Sequence, residues 1–223
     1  MFSKVGIYTN YEKLIKKCLF YFIMKINYNK LNNYEIEVGL DEAGRGPLFG
    51  RVYAAAVNWG DTPINESVMD SKKLSSKKRK EVLEWIQQNV DEWAVGYAEP
   101  HEIDSINILE ATKLAMSRAV EQLTFKPNYL IIDGVGWEKK FISYNTKSIV
   151  KGDANYYSIA AASIIAKEYH DDYIKKLCCT YPDLIDKYNL LNNMGYGTVK
   201  HIEGIKKYGL SEFHRKSFKI LNN

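Results

Sequence analysis

Cysteine is scarce in this 223-residue chain: Cys18, Cys178 and Cys179 are the three, and their spacing suits no disulfide framework. That scarcity points to a reducing, cytoplasmic setting. No Cys-x-x-Cys pair and no Cys/His grouping occurs, which argues against structural zinc. Long apolar runs are missing as well. Cys18–Met24 is apolar throughout, but it falls far short of the roughly 20 residues that span a bilayer. No small-residue cleavage site follows it, so neither a membrane span nor a secretory signal is expected. Charge of one sign is not in excess either. A net charge of +4 is too small to establish a polyanion partner by its total. Internal repeats and low-complexity tracts are absent.

What remains is ordinary for a globular protein, with 46% hydrophobic and 26% charged residues. The length fits one domain with a short appendage. Residues 1–33 form that appendage, where Lys13, Lys16 and Lys17 precede the apolar run as in a short amphipathic helix. Met24 is a candidate alternative start. The main domain is expected over 34–218, followed by a tail at 219–223.

Strand patterns occur at 35–41, Val52–Val57 and Trp93–Ala98. Tyr129–Asp133 is a continuous apolar run of the kind buried on both faces of a sheet. Helical patterns lie between them. Ser75 or Ser76 caps one that runs through Val82, Leu83, Trp85 and Ile86. A second spans Ile108–Leu123 with Leu109, Leu114, Ala115 and Ala119 inward. The longest covers Asn155–Cys179, and its early alanines (Ala160, Ala161, Ala162, Ala166) suit close packing on a sheet. Two more follow near 183–190 and 198–208. Three early strands and then alternating helices and strands give an α/β domain with a mixed central sheet flanked by helices, plus C-terminal helices.

The chemistry concentrates in Val38–Pro47. An apolar strand ends in adjacent carboxylates, Asp41 and Glu42, and Gly44-Arg45-Gly46 follows. Side chains alternate along a strand, but at a strand end running into a glycine turn both acids can face one pocket. Glycine allows close backbone approach to a ligand, and Arg45 offers a forked donor for phosphate or ribose. Taken alone, such an acid pair is most often solvated loop charge. A dinucleotide fingerprint is a poor alternative, because Pro47 stands where a helix should open and the acids would repel a pyrophosphate. Asp133 repeats the logic at the end of Tyr129–Ile132, the edge where ligands gather in open α/β sheets. On the long helix Ser163, Lys167 and Asp171 share a face; a surface ion pair is the plain alternative for the last two.

These residues resemble the type 2 ribonucleases H. Asp41-Glu42-Ala-Gly-Arg-Gly-Pro, Asp70-Ser-Lys-Lys-Leu74, Ile103-Asp-Ser-Ile-Asn-Ile108, Ile132-Asp-Gly134 and Lys151-Gly-Asp153 occur in that family's order. Ala160-Ala-Ala-Ser-Ile-Ile-Ala-Lys167, Gly195-Tyr-Gly-Thr198 and His214-Arg215-Lys-Ser-Phe218 complete the series over roughly 35–218. The resemblance implies an RNase H-like fold and endonucleolytic cleavage of RNA joined to or paired with DNA. It puts the metal-binding, catalytic carboxylates on Asp41, Glu42, Asp133 and Asp171. It has the Gly44, Arg45 and Gly46 backbone read the 2′-hydroxyl that distinguishes RNA from DNA, and Tyr196 stack on the deoxyribose beyond the junction.

Four converging carboxylates repel one another and either rise in pKa or hold cations. Oxygen donors alone favour Mg²⁺ or Mn²⁺, two of which can drive phosphodiester hydrolysis. Lys72 and Lys73 are the expected phosphate contacts, with Lys151, Ser163 and Lys167 nearer the acids; Lys200, His201, His214 and Arg215 are further candidates. Lys77, Lys78, Arg79 and Lys80 read equally as a solvated face or a phosphate track. The expected partners are RNA–DNA hybrids and duplex DNA with embedded ribonucleotides, with no membrane partner and a monomeric enzyme. The chain departs from the family at His170, where arginine is usual, at Phe49-Gly50-Arg51, and at Leu210-Ser211. A type 3-like ribonuclease H acting only on hybrids is the close rival, but that type carries lysine in the turn and lacks the tyrosine. A catalytically silent hybrid-binding module would show the loss of an acid, and all four are present.

Overall fold

The computed structural model describes residues 36–90 and 92–219. The expected appendage at 1–33 and nearly all of the expected tail lie outside the described residues. In chain order the elements are β1 (Glu37–Ala43), β2 (Val52–Asn58), α1 (Ser76–Asn89), β3 (Glu92–Ala98), α2 (Pro100–Glu121), β4 (Tyr129–Asp133) and β5 (Asn145–Ile149). Then come α3 (Tyr157–Thr180), α4 (Asp183–Tyr188), α5 (Leu190–Asn193) and α6 (Val199–Tyr208). The strands form one sheet in the order β3-β2-β1-β4-β5. β1–β2 and β2–β3 are antiparallel, whereas β4 pairs parallel with both β1 and β5. The sheet is therefore mixed, and its apolar strands are covered on both faces.

Small residues set how close the helices come. On one face Val38, Leu40, Val52, Ala54 and Ala56 pack against Ile103, Ala111, Ala115, Met116 and Ala119 of α2. On the other, Ala55 and Val57 meet Ala160, Ala161, Ala162, Ile164 and Ile165 of α3, with Val82 and Ile86 of α1 beside them. A Cβ on Gly39 would lie 2.5 Å from the Ser158 hydroxyl, so α3 can cross β1 only where that side chain is missing. Ile159, Ile164 and Ile165 are fully buried, each worth about 1.5–3 kcal/mol. A third cluster gathers Phe49, Ile174, Cys178, Leu184, Tyr188, Leu190 and Ile205. It fastens the C-terminal helices to the turn after β1.

Several expectations shift. α2 begins at Pro100 rather than Ile108, opened by a capping box between Glu99 and Glu102 with proline in its first turn. Asn107, at φ 67°, kinks it, and Leu109 is exposed rather than inward. α3 opens at Tyr157, two residues later than expected. The expected helix at 183–190 divides into α4 and α5 about a left-handed Asn189. β5 was not anticipated, because Asn-Thr-Lys-Ser-Ile is a polar edge strand with no apolar alternation. Ser75 does cap α1, accepting the Lys78 N–H at 3.3 Å.

Candidate active site

Register brings the first two acids together. The parallel ladder pairs Glu37–Leu40 with Tyr129–Ile132, so the next positions on the two strands are Asp41 and Asp133. In-register neighbours on parallel strands project to the same face, about 4.8 Å apart. On its other side β1 stays paired with β2, Asp41 opposite Ala55 and Glu42 opposite Ala54. The strand thus continues to Ala43 instead of ending at the acids as expected, yet Asp133 bears on both neighbours through its charge.

Each acid has its own environment. Asp41 is buried and accepts the Glu42 N–H at 2.7 Å together with the Ser163 hydroxyl. Burial first, then Glu42 and Asp133, push its carboxyl well above the usual range. Burial also raises Glu42, opposed by the Arg45 guanidinium 3.1 Å away. Asp133 accepts the Gly152 N–H at 2.7 Å. Asp171 sits on α3. Burial pushes it up, but hydrogen bonds from His170 (3.1 Å) and Lys167 (2.7 Å) outweigh that and hold it low. Asp41, Glu42 and Asp133 therefore form one electrostatic group, whereas Asp171 is held by cations of its own. Among the described residues no three carboxylate, imidazole or thiol side chains stand ready-set around a single point. The donor chemistry nonetheless suits a hard divalent cation: all oxygen, with a buried Asp41 repelled by two neighbouring acids.

The flanking groups are mixed in character. Ser163 bridges Asp41 and the Ser71 hydroxyl, the latter at 2.9 Å. Lys72 lies 3.8 Å from Asp153 and within the field of Asp41 and Asp133. Lys73 and Lys151 are exposed, the latter in a left-handed turn. Lys167 stands over the Tyr196 ring at 5.9 Å. Gly44 and Gly46 each face a ring: added Cβ atoms would lie 2.5 Å from His170 Cδ2 and 3.3 Å from Tyr196 Cε1. His170, far from offering a guanidinium-like contact to a ligand, is fully buried between Gly44 and Asp171.

Four further candidates turn inward. His201, His214 and Arg215 are buried and make their bonds inside the protein, so they are not the phosphate contacts expected. Arg79 leaves the exposed lysines Lys77, Lys78 and Lys80 to bond Glu168 at 2.5 Å and Asp171 at 3.4 Å. Its inward turn, expected neither of a solvated face nor of a phosphate track, brings a guanidinium to Asp171. The available signal was spacing, since Arg79 shares the helix face of Val82 and Ile86. Asp153, the acid of the Lys151-Gly-Asp153 stretch, is buried within the field of Asp133 and Asp70, and burial raises its carboxyl.

Comparison with known proteins gives a consistent picture. The profile of the family described as Ribonuclease HII matches residues 38–221. A ribonuclease HII of Parabacteroides distasonis is 48% identical over 189 residues, 83% of this chain and 91% of that protein. One from Bacteroides fragilis is 47% identical over 193 residues, 86% and 94% of the two chains. Among solved structures, ribonuclease H2 from Pyrococcus horikoshii superposes with a TM-score of 0.62 at 28% identity, covering 82% of this chain and 94% of that one.

Proposed function

The chain belongs to the ribonuclease HII family and is a ribonuclease H, an endonuclease acting on the RNA of RNA–DNA hybrids; on that premise we propose that it also incises duplex DNA 5′ of a single embedded ribonucleotide. The cut leaves 5′-phosphate and 3′-hydroxyl ends and uses two divalent ions, Mg²⁺ or Mn²⁺. Asp41, Glu42, Asp133 and Asp171 would hold them. The carrying observation is the β1–β4 register, which sets the buried Asp41 beside Asp133 and next to Glu42, so that the three acids repel one another. Such a group is stabilised by a cation.

Once held there, such ions would supply Lewis acidity for activating water and for offsetting charge on the departing 3′ oxygen. The chain supplies placement. Ser163 and the Glu42 N–H fix Asp41, and Gly152 fixes Asp133. His170 and Lys167 hold the Asp171 carboxylate in place. The Gly44–Gly46 backbone takes the ribose 2′-hydroxyl, and Arg45 exchanges Glu42 for phosphate as substrate arrives. Tyr196 stacks on the following deoxyribose. Lys72, Lys73 and Lys151 lie along the phosphates. The enzyme of this reading is a monomer working in the cytoplasm on nucleic acid; no helix among the described residues is long and apolar enough to cross a membrane. Arg45 and Tyr196 favour this reading over a hybrid-only, type 3-like enzyme, and the intact set of acids favours it over a silent binder.

The test is a DNA duplex with one ribonucleotide, incubated in EDTA, Mg²⁺ or Mn²⁺. Incision on the 5′ side of the ribonucleotide, abolished by EDTA and restored by either ion, is expected. An intact duplex in all three, or cleavage that resists the chelator, contradicts the proposal.

A further inference from the structure

The C-terminal residues Ser211–Arg215 are far from the acids in sequence, yet they reach both substrate-facing loops. Arg215 has five N–H donors, and each meets a backbone carbonyl of the turn after β1. Nε donates to Gly50 at 2.8 Å, Nη1 to Pro47 at 2.7 Å and Arg45 at 3.1 Å, and Nη2 to Gly44 at 2.6 Å and Arg51 at 2.9 Å. The Arg215 N–H donates to Leu48 O, and the Gly50 N–H donates to Phe213 O. A buried guanidinium that spends every donor on one loop specifies that loop's shape, because any other path leaves a charged donor unpaired.

His214 reaches the second loop. Its Nδ1 accepts the Ser211 N–H at 2.9 Å, so the proton of the neutral ring is on Nε2. That Nε2 faces His201 Nε2 at 3.1 Å and donates to it. The His201 proton is then on Nδ1, which donates to the Tyr196 carbonyl at 2.9 Å. One tautomer chain thus runs from Ser211 to Tyr196. Burial lowers the pKa of both rings, which keeps them neutral. The Leu48 N–H, donating to Gly195 O at 2.9 Å, ties the two loops to each other.

We propose that Arg215 and the His214–His201 pair are positioning residues that set substrate specificity, fixing the Gly44–Gly46 backbone and Tyr196 at the spacing of one ribose and its following deoxyribose. None of the three touches substrate. The inference rests on the roles given above to Gly44–Gly46 and Tyr196, and it extends them to side chains buried behind those loops.

The experiment compares the parent chain, Arg215→Lys and His214→Gln on a duplex with one ribonucleotide and on a long RNA–DNA hybrid. Circular dichroism and thermal melting establish folding. Lysine keeps the charge but has no fork, so the turn is held at fewer points. Misplacement by an ångström can cost about a hundredfold. In folded Arg215→Lys the kcat on the single ribonucleotide should fall about tenfold to a hundredfold with KM within about twofold. The long hybrid, which offers many registers, should lose markedly less, and His214→Gln should shift the ratio in the same direction. Folded variants that lose both substrates equally, or neither, overturn the proposal. If Arg215→Lys does not fold, His214→Gln decides by the same ratio. If the parent itself leaves the single ribonucleotide intact, the functional reading fails separately. The clamp then stands or falls on whether kcat for the hybrid drops at unchanged KM.

Discussion

Tyr196 is 43% exposed while Phe49 and Tyr188, close by in the fold, are buried. An aromatic ring open to solvent beside Gly46 and Lys167 is accessible to a ligand, as the proposed stacking requires. Stacking contributes about 1–3 kcal/mol, and if the contact strengthens as the junction distorts, the gain appears in turnover rather than binding. Tyr196→Ala should therefore slow incision at a single ribonucleotide roughly thirtyfold, for a loss of about 2 kcal/mol, with duplex binding nearly unchanged. Single-turnover kinetics checks it, and a rate equal to the parent's makes Tyr196 a packing residue. At this scale the acids were legible because carboxylates at the ends of apolar strands are chemically conspicuous. Arg215 was not. Its burial is explained only by carbonyls 164 to 171 positions earlier in the chain, and nothing local signals such a partner.

Between elements, Arg79 is the tie. From α1 it reaches Glu168 and Asp171 on α3 and the carbonyls of Ser71 and Leu74. Breaking a buried pair by removing one partner costs about 3–5 kcal/mol, because the other charge stays behind. Arg79→Met should lose about 3 kcal/mol of stability in urea denaturation, and adding Glu168→Gln should recover part of it. A single variant within about 0.5 kcal/mol of the parent contradicts the coupling. The histidine pair between α6 and the C-terminal segment gives a pH effect. Burial pushes His214 down to about 4, below the roughly 6.5 of an unfolded histidine. The unfolded chain takes up the proton first, so this contribution is whole above about pH 6.5 and is lost as pH falls toward 4, by up to about 1.4 kcal/mol per pH unit. Denaturation at pH 7 and 4.5 should show a larger loss in the parent than in His214→Gln; equal losses contradict it. Elements with strong periodicity were readable, as α1, α3 and β4 were. β5 was hidden by its polarity, and the start of α2 lay in a capping box that no apolar spacing announces.

Over the whole molecule the α/β class was readable from the alternation of elements, but the order β3-β2-β1-β4-β5 was not, since it depends on pairings between distant strands. That order sets Asp41 beside Asp133. A parallel β1–β4 pair between two helical faces puts Asp41 and Asp133 side by side where α3 brings Ser163, while the C-terminal helices settle on the turn that follows β1. Net charge told little, because the proposed site is a local group of acids amid exposed lysines. The most direct measurement of that site is cleavage of an RNA–DNA hybrid by Asp41→Asn at saturating Mn²⁺, with thermal melting beside it. Asparagine keeps the shape and removes a buried, repelled charge, so the metal-free variant should melt no lower than the parent. Its cleavage should fall by about a thousandfold or more, the loss of roughly 4 kcal/mol of transition-state stabilisation. A folded Asp41→Asn protein that cleaves at the parental rate contradicts the assignment of this site.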